Sequence, residues 1–140
     1  ANRFVAFFVG EPAMNFLPAQ VEGERALSVA ADRGRRSLAL PETVPSKYAG
    51  KTLTLGLRPQ QLKVHRREPG GSSLPGKIRL IEFQGETTVL TLGLGRGEAS
   101  AEFKAVVAAT ERYAPGETVW LATEGKNLHL FDGEQAILKK

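Results

Sequence analysis

Two acids, Glu82 and Glu86, bracket Phe83-Gln84-Gly85, and a carboxylate pair at close quarters is the simplest apparatus for general acid–base work. That chemistry needs one acid held protonated near neutrality, which takes a desolvating cleft. The Gly between them reads instead as part of a tight turn, with both acids in water. Gly50-Lys51-Thr52 ends like a phosphate-binding loop, whose backbone amides cradle phosphates at the start of a helix. The position that such a loop reserves for its first Gly holds Pro45, and the following Leu53-Thr54-Leu55-Gly56-Leu57 alternates as a strand does. The segment is a Gly turn entering a strand. Gly93-Leu94-Gly95-Arg96-Gly97 lacks the spacing and the helix of a dinucleotide site and reads as a hairpin turn. His65 and His129 have no second His at ligand spacing, and the absence of Cys removes thiolate metal sites, disulfides and a thiol nucleophile together. With no Gly-x-Ser-x-Gly turn either, the residues point away from catalysis.

Cations gather at Lys63, His65, Arg66 and Arg67 and again at Arg33, Arg35 and Arg36; rings set among them would suit single-stranded nucleic acid. The rings sit elsewhere. Phe4, Phe7, Phe8 and Phe16 are near the N-terminus, and Phe83, Phe103, Trp120 and Phe131 lie in or beside alternating apolar segments, where core packing is expected. A net charge of +4 and a pI near 9.6 fall short of a committed nucleic-acid binder.

The elements that must position these residues come from a chain of 140 residues, 41% hydrophobic and 24% charged, with 15 Gly and 8 Pro: one globular domain, neither disordered nor collagen-like. Its longest apolar stretch, Phe4 to Gly10, stops at Glu11-Pro12, well short of the roughly 20 residues of a membrane-spanning helix. The opening Ala1-Asn2-Arg3 has neither a Met nor a secretion-signal pattern, so the chain is expected to be cut from something longer. Asn2 as a cap, apolar Phe4, Val5, Phe8 and Val9, and Gly10 as a stop predict a short N-terminal helix with one greasy face.

From Met14 onward the apolar period becomes two. It predicts strands over Asn15–Val21, Ala26–Ala30, Leu53–Leu57, Leu62–Arg66, Ile78–Leu80, Glu86–Leu94, Ala99–Phe103, Thr118–Ala122 and Leu128–Phe131. Ala31–Lys47, with three Arg around Gly34 and Pro at 41 and 45, is expected to resist regular pairing. Glu68–Gly76, rich in Gly, Ser and Pro, reads as a connector between strand groups at 1–67 and 77–140. Many short strands favour an all-β barrel or sandwich.

Four segments in order carry a resemblance that spans almost the whole chain: Asn2 to Gly10 with Glu11-Pro12-Ala13-Met14-Asn15-Phe16, Leu55-Gly56-Leu57-Arg58-Pro59-Gln60, Ile81-Glu82-Phe83-Gln84-Gly85-Glu86-Thr87, and Leu128-His129-Leu130-Phe131-Asp132. Together they resemble the C-terminal regulatory domain, TOBE/OB-type and MalK-like, of the ATP-binding subunits of bacterial sugar-type ABC importers. Gln60 departs from the usual Glu of that family, and Gln84 from its usual apolar residue. The resemblance implies an OB-like β-barrel module without catalytic residues, fused behind an ATPase domain that is absent here. It implies no cofactor in this chain, with ATP and Mg confined to the missing domain. Its implied partners are a second copy of the subunit, the upstream ATPase domain, the membrane subunits reached through it, and a regulatory protein or effector, but no nucleic acid. The implied location is cytoplasmic, peripheral at the inner face of the cell membrane.

Candidate contact residues on these segments are Asn15, Phe16, Arg58, Pro59, Glu86, His129, Phe131 and Asp132. Pro59 stops strand pairing, while Arg58 can fork to a carboxylate such as Glu86. If Leu128 and Leu130 face the core, His129 and Phe131 point the other way, either as an exposed contact face or as a second buried layer. Asp132-Gly133 reads as a turn. The alternative from another class is a free-standing OB-fold binder of single-stranded nucleic acid or a small anion.

Overall fold

The computed structural model describes residues 13–31, 34–94, 101–123, 128–133 and 135–138. They form β1 (Asn15–Gly23), β2 (Ala26–Ala31), β3 (Gly34–Ala39), β4 (Thr52–Leu57), β5 (Leu62–His65), β6 (Ser73–Gln84), β7 (Thr87–Leu94), β8 (Ala101–Ala108), β9 (Thr118–Thr123), β10 (Leu128–Asp132) and β11 (Gln135–Leu138). Single 3-10 turns stand at Ser46–Tyr48 and Pro59–Gln61. No helix among the described residues is long and apolar enough to cross a membrane.

Period-two sequence becomes two antiparallel sheets, ordered β11-β10-β4-β1-β2-β3 and β5-β9-β6-β7-β8. In the first sheet, Leu17, Leu55 and Leu130 form one cross-strand row that points inward. In the second, Leu74, Leu121 and Val64 do the same. The two inner faces meet in one apolar cluster whose members run from Leu17 to Leu130. Phe103, Leu55, Leu90 and Leu130 are wholly buried in it, each contributing roughly 1.5–3 kcal/mol by leaving water. β7 is buried from Thr88 through Leu94 because strands flank both its edges and both its faces are covered. The second sheet curls until its edge strands β5 and β8 approach one another, the closure of an OB-like barrel.

Asn15 joins the sheets. Its Nδ2 donates to the Lys104 carbonyl and its Oδ1 accepts from the Lys104 N–H, both at 2.8 Å, so one side-chain amide does for the edge of β8 what another strand would do. At the far end of β6 the Gln84–Thr87 pair closes on a two-residue loop, and Gly85 takes φ +73°, the left-handed value that tight hairpins require.

The expected N-terminal helix lies outside the described residues, as do residues 95–100 of the Gly-rich segment, although β7 and β8 are antiparallel neighbours. Other expectations need correction. Within Ala31–Lys47, residues Gly34–Ala39 do pair regularly, as β3 on β2. β3 is an edge strand that sends only Leu38 into the core and uses Arg35 and Arg36 as hydrogen-bond donors, so it shows no apolar alternation. Ile78 and Leu80 do not share a face. A bulge between them turns Ile81 inward and leaves Leu80 50% exposed. The sheets also ignore the expected grouping: β5 belongs with β6–β9, β10 and β11 return to the first sheet, and Ser73–Gly76 of the expected connector are already strand.

Replacing the Asn15 amide by a methyl group strands both polar atoms of the Lys104 peptide. Asn15→Ala is expected to cost about 2 kcal/mol in a denaturant melt, within the range for orphaned buried groups. Asn15→Asp keeps the acceptor but sets a buried carboxylate oxygen against the Lys104 carbonyl, and should cost at least as much as Ala.

Candidate functional site

The outer face of the first sheet collects most of the residues singled out from sequence. Phe16 on β1, Gly56 on β4 and His129 on β10 are direct cross-strand neighbours, all pointing away from the core. Gly56 makes the arrangement possible: a Cβ there would lie 2.6 Å from Met14 Sδ, 3.1 Å from Phe131 Cε2 and 3.3 Å from Phe16 Cε1. Because that position is bare, the Phe16 and Phe131 rings meet edge to face across β4, centroids 6.0 Å apart at 65°. Met14 and Phe131 are buried, while Phe16 and His129 are half-buried. Both open possibilities for this face are thus partly realised, with Phe131 in a small second apolar layer and His129 at its rim.

Arg58 stands at the end of β4, and its carbonyl accepts from the Gln61 N–H as Pro59 opens a 3-10 turn. Pro59 ends the strand as expected and is itself buried. Arg58 lies near His129, close enough to act on its charge. Glu86 is not its partner. That acid sits exposed at the β6–β7 turn, where its carbonyl accepts from the Ala109 N–H. Glu82 is exposed too, with Lys104 Nζ 4.0 Å away, so the two acids do not form a shielded dyad. Asp132 is exposed at the end of β10, before Gly133 with φ +62°. Asn15 faces inward to Lys104 and is a structural clasp. Among the described residues no cluster of three or more His, Asp or Glu could hold a metal ion.

The cationic run at 63–67 has a structural use. Arg66 donates to the Glu117 carboxylate and to the Arg112 carbonyl, and its guanidinium stacks 4.2 Å from the centroid of Tyr113. It latches the loop before β9 onto β5. Among the aromatics, Phe103 is core as expected, but Phe83 is 66% exposed and Trp120 is half-buried on the outer face of the second sheet.

Residues 55–131 match the TOBE domain family, and residues 10–62 match the MalK OB fold domain. This chain is a member of the TOBE domain family. It is 37% identical over 139 residues to the sn-glycerol-3-phosphate import ATP-binding protein UgpC of Salmonella choleraesuis, covering 96% of this chain and 35% of that one. Against the alpha-glucoside transport ATP-binding protein AglK of Rhizobium meliloti it is 31% identical over 135 residues, 94% of this chain and 35% of the relative. The chain therefore spans about a third of the length of these relatives. Among solved structures it superposes on the cytoplasmic molybdate-binding protein ModG with a TM-score of 0.67 over 89% of this chain and 99% of that one. At 16% identity that likeness concerns the fold alone.

In this TOBE domain, burial takes His129 below its ordinary pKa of 6.5, and the Arg58 charge pushes it the same way. The folded chain therefore holds fewer protons at this site than the unfolded one between the lowered pKa and 6.5. Stability from the neutral imidazole is fully present above 6.5 and falls as pH drops through that interval. Melting temperature measured from neutral to acidic pH should decline in wild type more than in His129→Gln. Parallel profiles would remove His129 as the cause.

Proposed function

We propose that this TOBE domain is the non-catalytic C-terminal regulatory and dimerisation module of the ATP-binding subunit of an ABC importer for a carbohydrate or related solute. The observation that carries the reading is the family match over residues 10–62 and 55–131, joined to relatives named as import ATP-binding proteins. Its partners in this reading are a second copy, the ATPase domain upstream, and through that domain the membrane subunits at the cytoplasmic face of the cell membrane. ATP and Mg belong to the ATPase domain. The module acts mechanically. A link that survives opening of two ATPase domains makes their re-closure intramolecular and raises their effective concentration to the millimolar range typical of short tethers.

The contact face in this reading is the outer side of the first sheet, with Phe16 and His129 at its centre and Arg58 and Asp132 at its rim. Aromatic residues and Arg are the groups that anchor protein contacts best. The 140-residue chain should sediment as a dimer at high micromolar concentration. Arg58→Glu should weaken that association about tenfold, a loss of about 1.4 kcal/mol. A wild-type chain that stays monomeric would overturn the self-association.

A further inference from the structure

Where β3 meets the outer face of the second sheet, Arg36, Glu68, Pro75, Thr118 and Trp120 line an open cleft of about 480 Å³. Small-molecule sites occupy roughly 300–1,000 Å³, so the space suits a metabolite rather than a macromolecule. One guanidinium serves it. Successive residues of a strand leave by opposite faces, and Arg35 is held away from the cleft on Ser28. Arg36 leaves on the side of Leu38. Its Nε donates to the Ser73 carbonyl at 3.0 Å and its Nη2 to Glu68 Oε2 at 2.7 Å, with Ser73 Oγ 3.5 Å from the same nitrogen. The cation of the cleft is therefore already matched by a carboxylate, and the pair as a whole is neutral. An anion arriving here would compete with Glu68 for Arg36, whereas a neutral ligand would not.

What the pair leaves over is one donor and one acceptor. Arg36 Nη1 and Glu68 Oε1 make no hydrogen bond among the described residues. A hydroxyl group both donates and accepts, so two neighbouring hydroxyls can take that donor and that acceptor while the Arg36–Glu68 bond stays closed. Hydrogen bonds to ionised groups are the stronger kind, which suits them to holding an uncharged molecule. Beyond the pair the lining turns apolar. Trp120 is half-buried on the outer face of the second sheet, with Pro75 opposite it in the β6–β9 ladder. Thr118, exposed on the same face of β9, adds a hydroxyl. A flat apolar surface beside a paired donor and acceptor matches a pyranose, whose CH groups gather on a ring face and whose hydroxyls stand around the rim.

We propose that this cleft binds a neutral monosaccharide ring, its CH face on the Trp120 indole and two adjacent hydroxyls on Arg36 Nη1 and Glu68 Oε1. A third hydroxyl meets Thr118. The ring touches the first sheet through Arg36 and the second through Trp120 and Thr118, so occupancy is felt by both. The site is complete within one chain and needs neither a second copy nor an ATPase domain.

Trp120 is the only tryptophan in the chain, so its emission reports this cleft directly. In titrations with glucose, galactose and mannose, at least one should give a saturable change in emission, with the millimolar Kd ordinary for so small a ligand. Inorganic phosphate should give none. Because no net charge is met, sugar affinity should change less than about twofold between low salt and roughly 0.5 M NaCl. Glu68 is exposed, and Glu68→Ala should weaken binding of that sugar about tenfold, the value of one charge-assisted hydrogen bond, without moving the melting temperature far. Followed by calorimetry, Trp120→Ala should abolish binding. Should that variant unfold, Trp120→Phe keeps a smaller platform and should bind in weakened form. No saturable response to any of the three sugars overturns the site. Phosphate that displaces the sugar, an affinity that falls steeply with salt, or Glu68→Ala and Trp120→Phe both binding like wild type overturns the assignment of ligand and residues.

Discussion

An antiparallel sheet of five strands has two edges, and the way those edges are closed decides where everything else in this domain can stand. Unpaired strand edges invite association with other chains, so each needs an occupant. The sheet curls to bring β5 toward β8, and Asn15 fills the remaining demand by giving both halves of its amide to the Lys104 peptide. That bond pair fixes the start of β1 against the barrel. β1 in turn fixes β4 and β2 on its two sides, and β4 fixes β10. The outer face bearing Phe16, Gly56, His129 and Phe131 is therefore set at a distance by an amide on the opposite side of the same strand.

Most of the strands were legible because they obey one rule, an apolar residue at every second position against a polar or small one. β1, β4 and β10 follow it, and their inward leucines fall into shared rows. β3 was not legible, since an edge strand that buries only Leu38 has no alternation to show, and its arginines looked like loop residues. β11, Gln135–Leu138, is too short to have a period of its own and is defined by pairing with β10. The bulge at Arg79 was invisible for a different reason. Alternation tells which residues share a face only while the register is unbroken, and one extra residue moves Leu80 out and Ile81 in.

The contact candidates divide in the same way. His129 and Phe131 could be put on one face by alternation along β10, whereas Phe16 joins them only because β4 pairs with both β1 and β10. Glu86 could not be matched to Arg58 by any local signal. The two belong to different sheets, and sheet membership here follows non-local pairing rather than chain order. Trp120 was read as core because it lies in an alternating apolar segment, yet Val119 and Leu121 take the inward positions and leave the indole between Pro75 and His65 on the outer face. Arg35, Arg36 and Glu68 join it only in three dimensions, since Ser73, the residue that holds Arg36, lies on a strand of the other sheet.

The same non-local pairing constrains how the domain is made. β4 sits between β1 and β10, so the row of Phe16, Gly56 and His129 requires residues from near both ends of the described chain. Contacts between distant residues carry loop-closure entropy that must be met before the contact stabilises anything, and topologies rich in them assemble slowly. The second sheet, by contrast, contains the β6–β7 hairpin closed by a two-residue turn and the β7–β8 pair beside it, both between chain neighbours. The barrel can therefore start from local hairpins, while the outer face of the first sheet exists only once β10 has reached β4. A neighbour that docks on that face meets a surface present only in the completed domain.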